Sequence, residues 1–154
     1  MKPKSGFTII EVIIVITIFT LLLGFASINL ISPQTQASVD TTLKSLTSDI
    51  AQQQIKAMGG DTDGTSGAIE HGIRFETNRY IIFRGTTYNP LEPTNFAVNL
   101  EGALQLSPVQ EVVFVKRSGE VFNFSTPIAI TLQNTQTGQQ KIITINRYGA
   151  TTVQ

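Results

Sequence analysis

A nearly unbroken apolar run from Phe7 to Ile31 is the feature that most restricts what this chain can form. A helix of that length, at about 1.5 Å per residue, can cross a hydrocarbon layer of about 30 Å. Lys2 and Lys4 precede the run, and one carboxylate, Glu11, lies inside it. A charged group at the centre of a bilayer costs roughly 3 kcal/mol, so acids in such segments usually have a function. The run therefore predicts a membrane helix with a functional carboxylate.

Two simpler interpretations of the apolar run stay open. A plain membrane anchor has the right length, but it leaves Glu11 without a role. A secretory signal peptide has an apolar core of about 7–15 residues and a cleavage site with small side chains. The run is longer than that, and residues 31–37 lack a convincing cleavage pattern. Because Lys2 and Lys4 favour the cytoplasmic side, the N-terminus is expected inside the cell and the C-terminal body outside.

The order of residues around Glu11 carries a family resemblance. The stretch GFTIIEVIIVITIF, which begins at Gly6, resembles the type IV prepilin signature of pilins and pseudopilins. The resemblance implies that a prepilin peptidase cleaves the Gly6–Phe7 bond and that Phe7 is then N-methylated. It also implies that Glu11 neutralises the N-terminal amine of a neighbouring subunit and sets the register of assembly. The expected location is the cell membrane, as a single-pass protein, and afterwards an extracytoplasmic filament built with other pilin subunits on an inner-membrane platform.

The fold predicted from the pattern is α+β and pilin-like, with a long N-terminal helix packed on a mainly antiparallel β-sheet domain. Its expected parts are a leader at 1–6, a membrane or filament-core helix at 7–31, an amphipathic half of the helix at 32–60 and an exoplasmic β-rich domain at 61–154. Pro33 interrupts the helical pattern and can introduce a bend, whereas Gly59 and Gly60 end it. Spacings of three and four place the following residues on one helical face: Val39, Leu43, Leu46, Ile50, Gln53 or Gln54, and Ala57.

The remainder of the chain consists of short apolar runs separated by turn residues, which predict β-strands. Two hairpins are expected, with turns at 77–79 and 134–138. The predicted strands are 72–76, 80–84, 96–100, 104–106, 111–115, 121–124, 128–132, 141–146 and a short final one within 148–153.

The body carries a second and less specific resemblance, to the GspH/FimT-type pseudopilins. Phe114 with Gly119, and Ile143 and Ile145 with Gly149, occupy the places of that group's strand-and-glycine motifs. The resemblance implies a minor pilin or pseudopilin of a type IV pilus, a type II secretion system or a DNA-uptake system. The chain departs from related proteins in two respects, since it has neither a dense arginine tail at the C-terminus nor a cysteine pair.

Charge and cysteine content exclude several function classes. The eleven basic and eleven acidic residues cancel, and a processed chain without Lys2 and Lys4 keeps nine bases against eleven acids. Such a balance argues against broad nucleic-acid binding, which needs clustered bases. A DNA-binding minor pilin remains an alternative if four bases converge on one face; these are Lys116, Arg117, Lys141 and Arg147. The absence of cysteine excludes thiol catalysis and disulfides, so the exoplasmic domain must depend on its apolar core.

Neither catalysis nor metal binding is expected. The one histidine, His71, has no neighbouring acid or nucleophile motif, so a surface or strand-edge position is predicted for it. Asp61, Asp63 and Glu70 could offer oxygen ligands to calcium, but Glu70 follows Asp61 by nine residues where an EF-hand needs eleven. A solvated loop is therefore predicted at 61–67, and no cofactor is expected.

Overall fold

The computed structural model describes residues 6, 8–28, 31–62, 64 and 66–154. The chain divides into two compact units, Met1–Thr35 and Gln36–Gln154. Helix α1 (Ile9–Ile28) belongs to the first unit, and helix α2 (Ile31–Gly59) lies mostly in the second. The predicted α+β class is confirmed, because the helices are followed by antiparallel sheets. The prediction of one continuous helix depends on residues 29 and 30, which lie outside the described residues.

The apolar stripe predicted for α2 is confirmed as its buried face. Val39, Leu46 and Ala57 are completely buried, Ile50 is buried, and Leu43 packs against the same core at partial burial. The helix ends at Gly59, and Gly60 follows with a φ of +67°, a conformation that glycine adopts without steric cost. Pro33 does not break the helix, because it lies in the first turn, where a missing backbone N–H removes no intrahelical bond.

Within the described residues, eight strands form two four-stranded antiparallel sheets. The first sheet has the order β3-β2-β1-β5 and the second has the order β4-β6-β7-β8. Both predicted hairpins are confirmed, since β1 pairs with β2 and β6 pairs with β7. The strands are β1 (His71–Glu76), β2 (Arg79–Arg84), β3 (Phe96–Asn99), β4 (Leu104–Ser107), β5 (Gln110–Phe114), β6 (Ile128–Asn134), β7 (Gln140–Ile145) and β8 (Thr151–Val153).

One hydrophobic core joins α2 to both sheets. The first sheet contributes Phe75 and Tyr80, and the second contributes Ile130 and Ile143; each of the four is at most 1% exposed. The buried stripe of α2 belongs to the same cluster. Burying each large apolar side chain stabilises the fold by about 1.5–3 kcal/mol, so a body without disulfides can be held by this cluster.

Two sequence-based expectations are wrong. Residues 121–124 do not form a strand, because Val121 makes only an isolated bridge to Phe114 and Asn123 adopts a φ of +50°, which interrupts an extended backbone. His71 is not at the surface, since it is 2% exposed. It begins β1, which is an internal strand with β2 on one side and β5 on the other.

A partly buried hydrogen bond links α2 to the first sheet. The Tyr80 hydroxyl donates to Asp49 Oδ2 at 2.5 Å, and the Tyr80 side chain is 1% exposed. Burial, together with the bond to the Asp49 carboxylate, raises the pKa of the Tyr80 phenol. The protonated phenol is therefore part of the folded state.

We expect Tyr80→Phe to lower the free energy of unfolding by about 1–2 kcal/mol near neutral pH, because a partly buried hydrogen bond to a carboxylate is lost. The raised pKa also makes the wild-type stability depend on pH. Below the phenol's ordinary pKa of 10.0 the stabilisation is fully present. Above it the unfolded chain loses the proton first, so stability falls by up to about 1.4 kcal/mol per pH unit. Denaturant titrations at pH 8 and pH 11 measure both effects, and an equally steep alkaline loss in Tyr80→Phe would contradict the assignment.

Candidate assembly site on the N-terminal helix

Thr8 caps the start of α1. Its hydroxyl oxygen accepts a hydrogen bond from the Glu11 N–H at 3.4 Å. Its carbonyl oxygen accepts from the N–H groups of Glu11 and Val12 at 3.1 and 3.3 Å. A threonine before a helix with a glutamate three residues later is the residue pair of a capping box. Sequence reasoning missed this role of Thr8, although the spacing of Thr8 and Glu11 was the available signal.

The Glu11 carboxylate lies in the first turn of α1 and is exposed. A negative charge there is favoured by the partial positive charge at the start of a helix. Within the described residues Glu11 forms no ion pair, so the described part of the chain contains no cation that neutralises it. Glu11 is therefore an exposed acid on a capped first turn, without a positive partner among the described residues.

The surface of α1 is apolar on all sides. From Ile9 to Leu23 every side chain is exposed, with apolar side chains ranging from 46% exposed at Val12 to 83% at Ile9. The hydroxyls of the two threonines in this stretch are hydrogen-bonded to the helix backbone, since Thr17 and Thr20 each donate to the carbonyl four residues earlier at 2.8 Å. Helices that are apolar all round are normally buried against other helices or in lipid. Among the described residues, no helix is long and apolar enough to span a membrane.

The predicted processing residues are described only in part. Gly6 is exposed, and a Cβ at its position would meet no atom within 4 Å. Phe7 and the leader residues 1–5 lie outside the described residues. The cleavage and methylation roles of Gly6 and Phe7, and the assembly role of Glu11, thus stay predictions at this point.

The four bases considered for DNA do not all lie together. Lys116 is 3.5 Å from Glu70, and Arg147 is 3.6 Å from Glu120. Lys116 and Arg117 lie in the turn that the Val115 N–H closes by donating to the Glu120 carbonyl at 2.8 Å, and the next residue, Val121, donates its N–H to the Arg147 carbonyl at 2.9 Å. Lys141 lies at the opposite end of β7 from the turn that holds Arg147. At about 3.3 Å per residue, the strand from Lys141 to Ile145 spans about 13 Å, which separates Lys141 from that turn.

The loop at 61–67 gives no support to a calcium site in its described part. Among described residues, no group of three acidic or histidine side chains is placed to hold a metal ion. Asp63 lies outside the described residues, and Glu70 is engaged by Lys116.

Comparison with known protein families identifies a sequence motif at the N-terminus. The family model of the prokaryotic N-terminal methylation motif matches residues 1–27. No curated protein and no solved structure matches the chain. The chain therefore carries a prepilin-type N-terminus of the kind found in type IV pilins and pseudopilins, which implies anchoring of that end in a membrane. The resemblance of the body to GspH/FimT-type pseudopilins is not confirmed by these comparisons.

We expect Thr8→Ala to loosen the first turn of α1, because losing an N-cap hydroxyl costs about 1 kcal/mol. The Glu11 amide should then exchange its hydrogen about fivefold faster in the full-length chain in detergent micelles. Thr8→Ser keeps the hydroxyl and serves as the matched control, with exchange close to wild type. Equal exchange rates in all three chains would rule out a capping role.

Proposed function

We propose that this protein is a structural subunit, a minor pilin or pseudopilin, of a filament such as a type IV pilus, a type II secretion pseudopilus or a DNA-uptake filament. The observation that carries the proposal is the methylation motif at residues 1–27 on a helix whose exposed apolar surface bears one carboxylate, Glu11. A structural subunit needs a surface for neighbouring helices and a device that fixes their register. Lipid would cover the helix before assembly, and other subunits would cover it afterwards.

Processing starts the proposed assembly. The leader stays in the cytoplasm and the body lies on the exoplasmic side, with 7–31 as the membrane segment. A prepilin peptidase cleaves between Gly6 and Phe7, and the new amine of Phe7 is methylated. The exposure of Gly6 supports access by a peptidase. The processed subunit then leaves the bilayer through an inner-membrane assembly platform.

Glu11 supplies the register in this proposal. When helices bundle, each carboxylate enters an apolar environment in which an isolated charge is strongly penalised. The Phe7 ammonium of a neighbouring subunit replaces the isolated charge by a pair, which recovers much of the desolvation cost. A neighbour shifted along the helix axis would leave both charges unpaired, so the pair selects one axial position.

The first test is the intact mass of the full-length chain expressed with and without a prepilin peptidase. We expect loss of residues 1–6 and one added methyl group on Phe7 only when the peptidase is present. A chain that stays uncut while a control prepilin is processed would overturn the proposal.

Substitution at the cleavage site tests the role of Gly6. We expect Gly6→Leu to abolish cleavage, because a bulky side chain would occupy the space next to the scissile bond. Gly6→Ala adds the smallest side chain and is the graded control, with cleavage between the two. Normal processing of Gly6→Leu would place the scissile bond elsewhere.

Substitution of Glu11 separates processing from assembly. We expect Glu11→Ala and Glu11→Gln to be cleaved normally but incorporated into filaments at least about tenfold less, which corresponds to losing about 1.4 kcal/mol per subunit. Glu11→Asp keeps the charge and should retain part of the yield. The measurement is the ratio of sheared filament subunit to membrane-bound subunit. Normal incorporation of Glu11→Gln would show that charge is not the assembly determinant.

A further inference from the structure

Strand β3 leaves one edge of the first sheet open. It pairs with β2 on one side, and three of its four residues, Phe96, Ala97 and Asn99, are exposed. The strand contains no charged residue and no proline, the features with which proteins usually protect a free edge. Phe96, at 64% exposure, adds a large apolar side chain to this edge.

Among the described residues, the free sides of β5 and β4 are each partly covered by a backbone hydrogen bond from outside their sheets. The free side of β5 is covered at its end, because the Phe122 N–H donates to the Val113 carbonyl at 2.8 Å. On β4 the Leu106 N–H donates to the Thr77 carbonyl at 2.9 Å. Strand β8 is open but has only three residues. Of the strand edges that have no such bond in the described part of the chain, β3 is longer than β8.

The hydrogen-bond pattern fixes which backbone groups of β3 point outward. The Leu100 N–H donates to the Asn78 carbonyl at 2.9 Å, and these residues are opposite each other when the register of β2 and β3 is extended by one position. Hydrogen-bonded and non-hydrogen-bonded residue pairs alternate along two antiparallel strands. The backbone N–H and C=O groups of Val98 and Phe96 therefore also face β2. The N–H and C=O groups of Ala97 and Asn99 therefore point away from the sheet.

This edge is complementary to itself. In an antiparallel pairing across a two-fold axis at Val98, Ala97 of one copy lies opposite Asn99 of the other, and the outward groups of both form hydrogen bonds. The same register places Val98 opposite Val98 and Phe96 opposite Leu100. Val98 and Leu100 pack on the core side of the sheet, so the two copies form one continuous apolar row.

We propose that β3 is an interaction surface for a second copy of this chain, which joins the two first sheets edge to edge in this register. No two like charges face each other across the contact, because residues 96–100 contain no charged side chain. The contact is isologous and closes on itself, so it pairs subunits and does not by itself extend a filament. The inference rests on the Gln36–Gln154 unit alone and is independent of the proposed function.

A five-residue contact is small compared with the roughly 1,200–2,000 Å² of a stable interface, so the pair is expected to be weak in solution. Covalent trapping suits a weak contact, and the chain has no cysteine of its own. In the proposed register the two Val98 Cα atoms form a non-hydrogen-bonded pair about 4.5 Å apart. This separation lies within the range that a disulfide spans.

The test is oxidative cross-linking of full-length Val98→Cys in detergent. Thr152→Cys is the matched control, because Thr152 is the central residue of the other open edge and is also paired inward, with Thr144. Thr152 is more exposed than Val98, so random collisions favour the control. We expect Val98→Cys to form the disulfide-linked dimer at least about tenfold faster. Equal rates, or a faster control, would overturn the proposal and leave a strand from another protein as the occupant of β3.

A second substitution keeps the test independent of folding. Adding Ala97→Pro to Val98→Cys removes an outward N–H while leaving the bonds of β3 to β2 intact. We expect an unchanged circular dichroism spectrum and a dimer rate reduced to that of the Thr152→Cys control. A folded Ala97→Pro chain that cross-links at the full rate would show that the edge does not pair.

Discussion

The structure of the body depends on the burial of one face of α2. Residues at spacings of three and four place a continuous apolar face between two sheets that share no strand, and this face links them into one core. Gln54 strengthens the arrangement at the border of the stripe, because its Nε2 donates to the carbonyls of Gly119 and Tyr148 at 3.1 and 2.6 Å. One side chain of the helix thus holds two turns that belong to different parts of the β-structure.

Two glycines make this close approach possible. Gly119 and Gly149 have φ angles of +70° and +77°. A Cβ at Gly119 would collide with Met58, and one at Gly149 would collide with Gln54. These are the two glycines on which the resemblance to the GspH/FimT-type pseudopilins rests. Here each has a physical reason, since a side chain at either position would be strained at a positive φ and would displace Met58 or Gln54 of α2.

The sequence predicted those elements whose signals are local. The α2 stripe, its end at Gly59 and the two hairpins follow from periodicity and turn residues, which neighbouring positions determine. The division of the strands into two sheets could not be predicted, because pairing of distant strands leaves no local pattern. The burial of His71 was missed for the same reason, since it depends on the central position of β1. At the candidate site, the motif gave Gly6, Phe7 and Glu11, but the cap at Thr8 was overlooked.

The Thr8 cap and the Glu11 carboxylate both affect the balance of charge at the start of α1. Thr8 fixes the first turn and so places Glu11 close to the partial positive charge of the helix start. In the proposed processed form, the Phe7 ammonium would precede Thr8 directly and add a full positive charge at that end. The ammonium and the partial positive charge of the helix start repel each other, and this repulsion is weak while water and salt screen it. Once helices bundle and water is excluded, each ammonium needs a fixed carboxylate within contact distance. A capped helix start keeps the Glu11 backbone in one place, and so meets that need better than a frayed one.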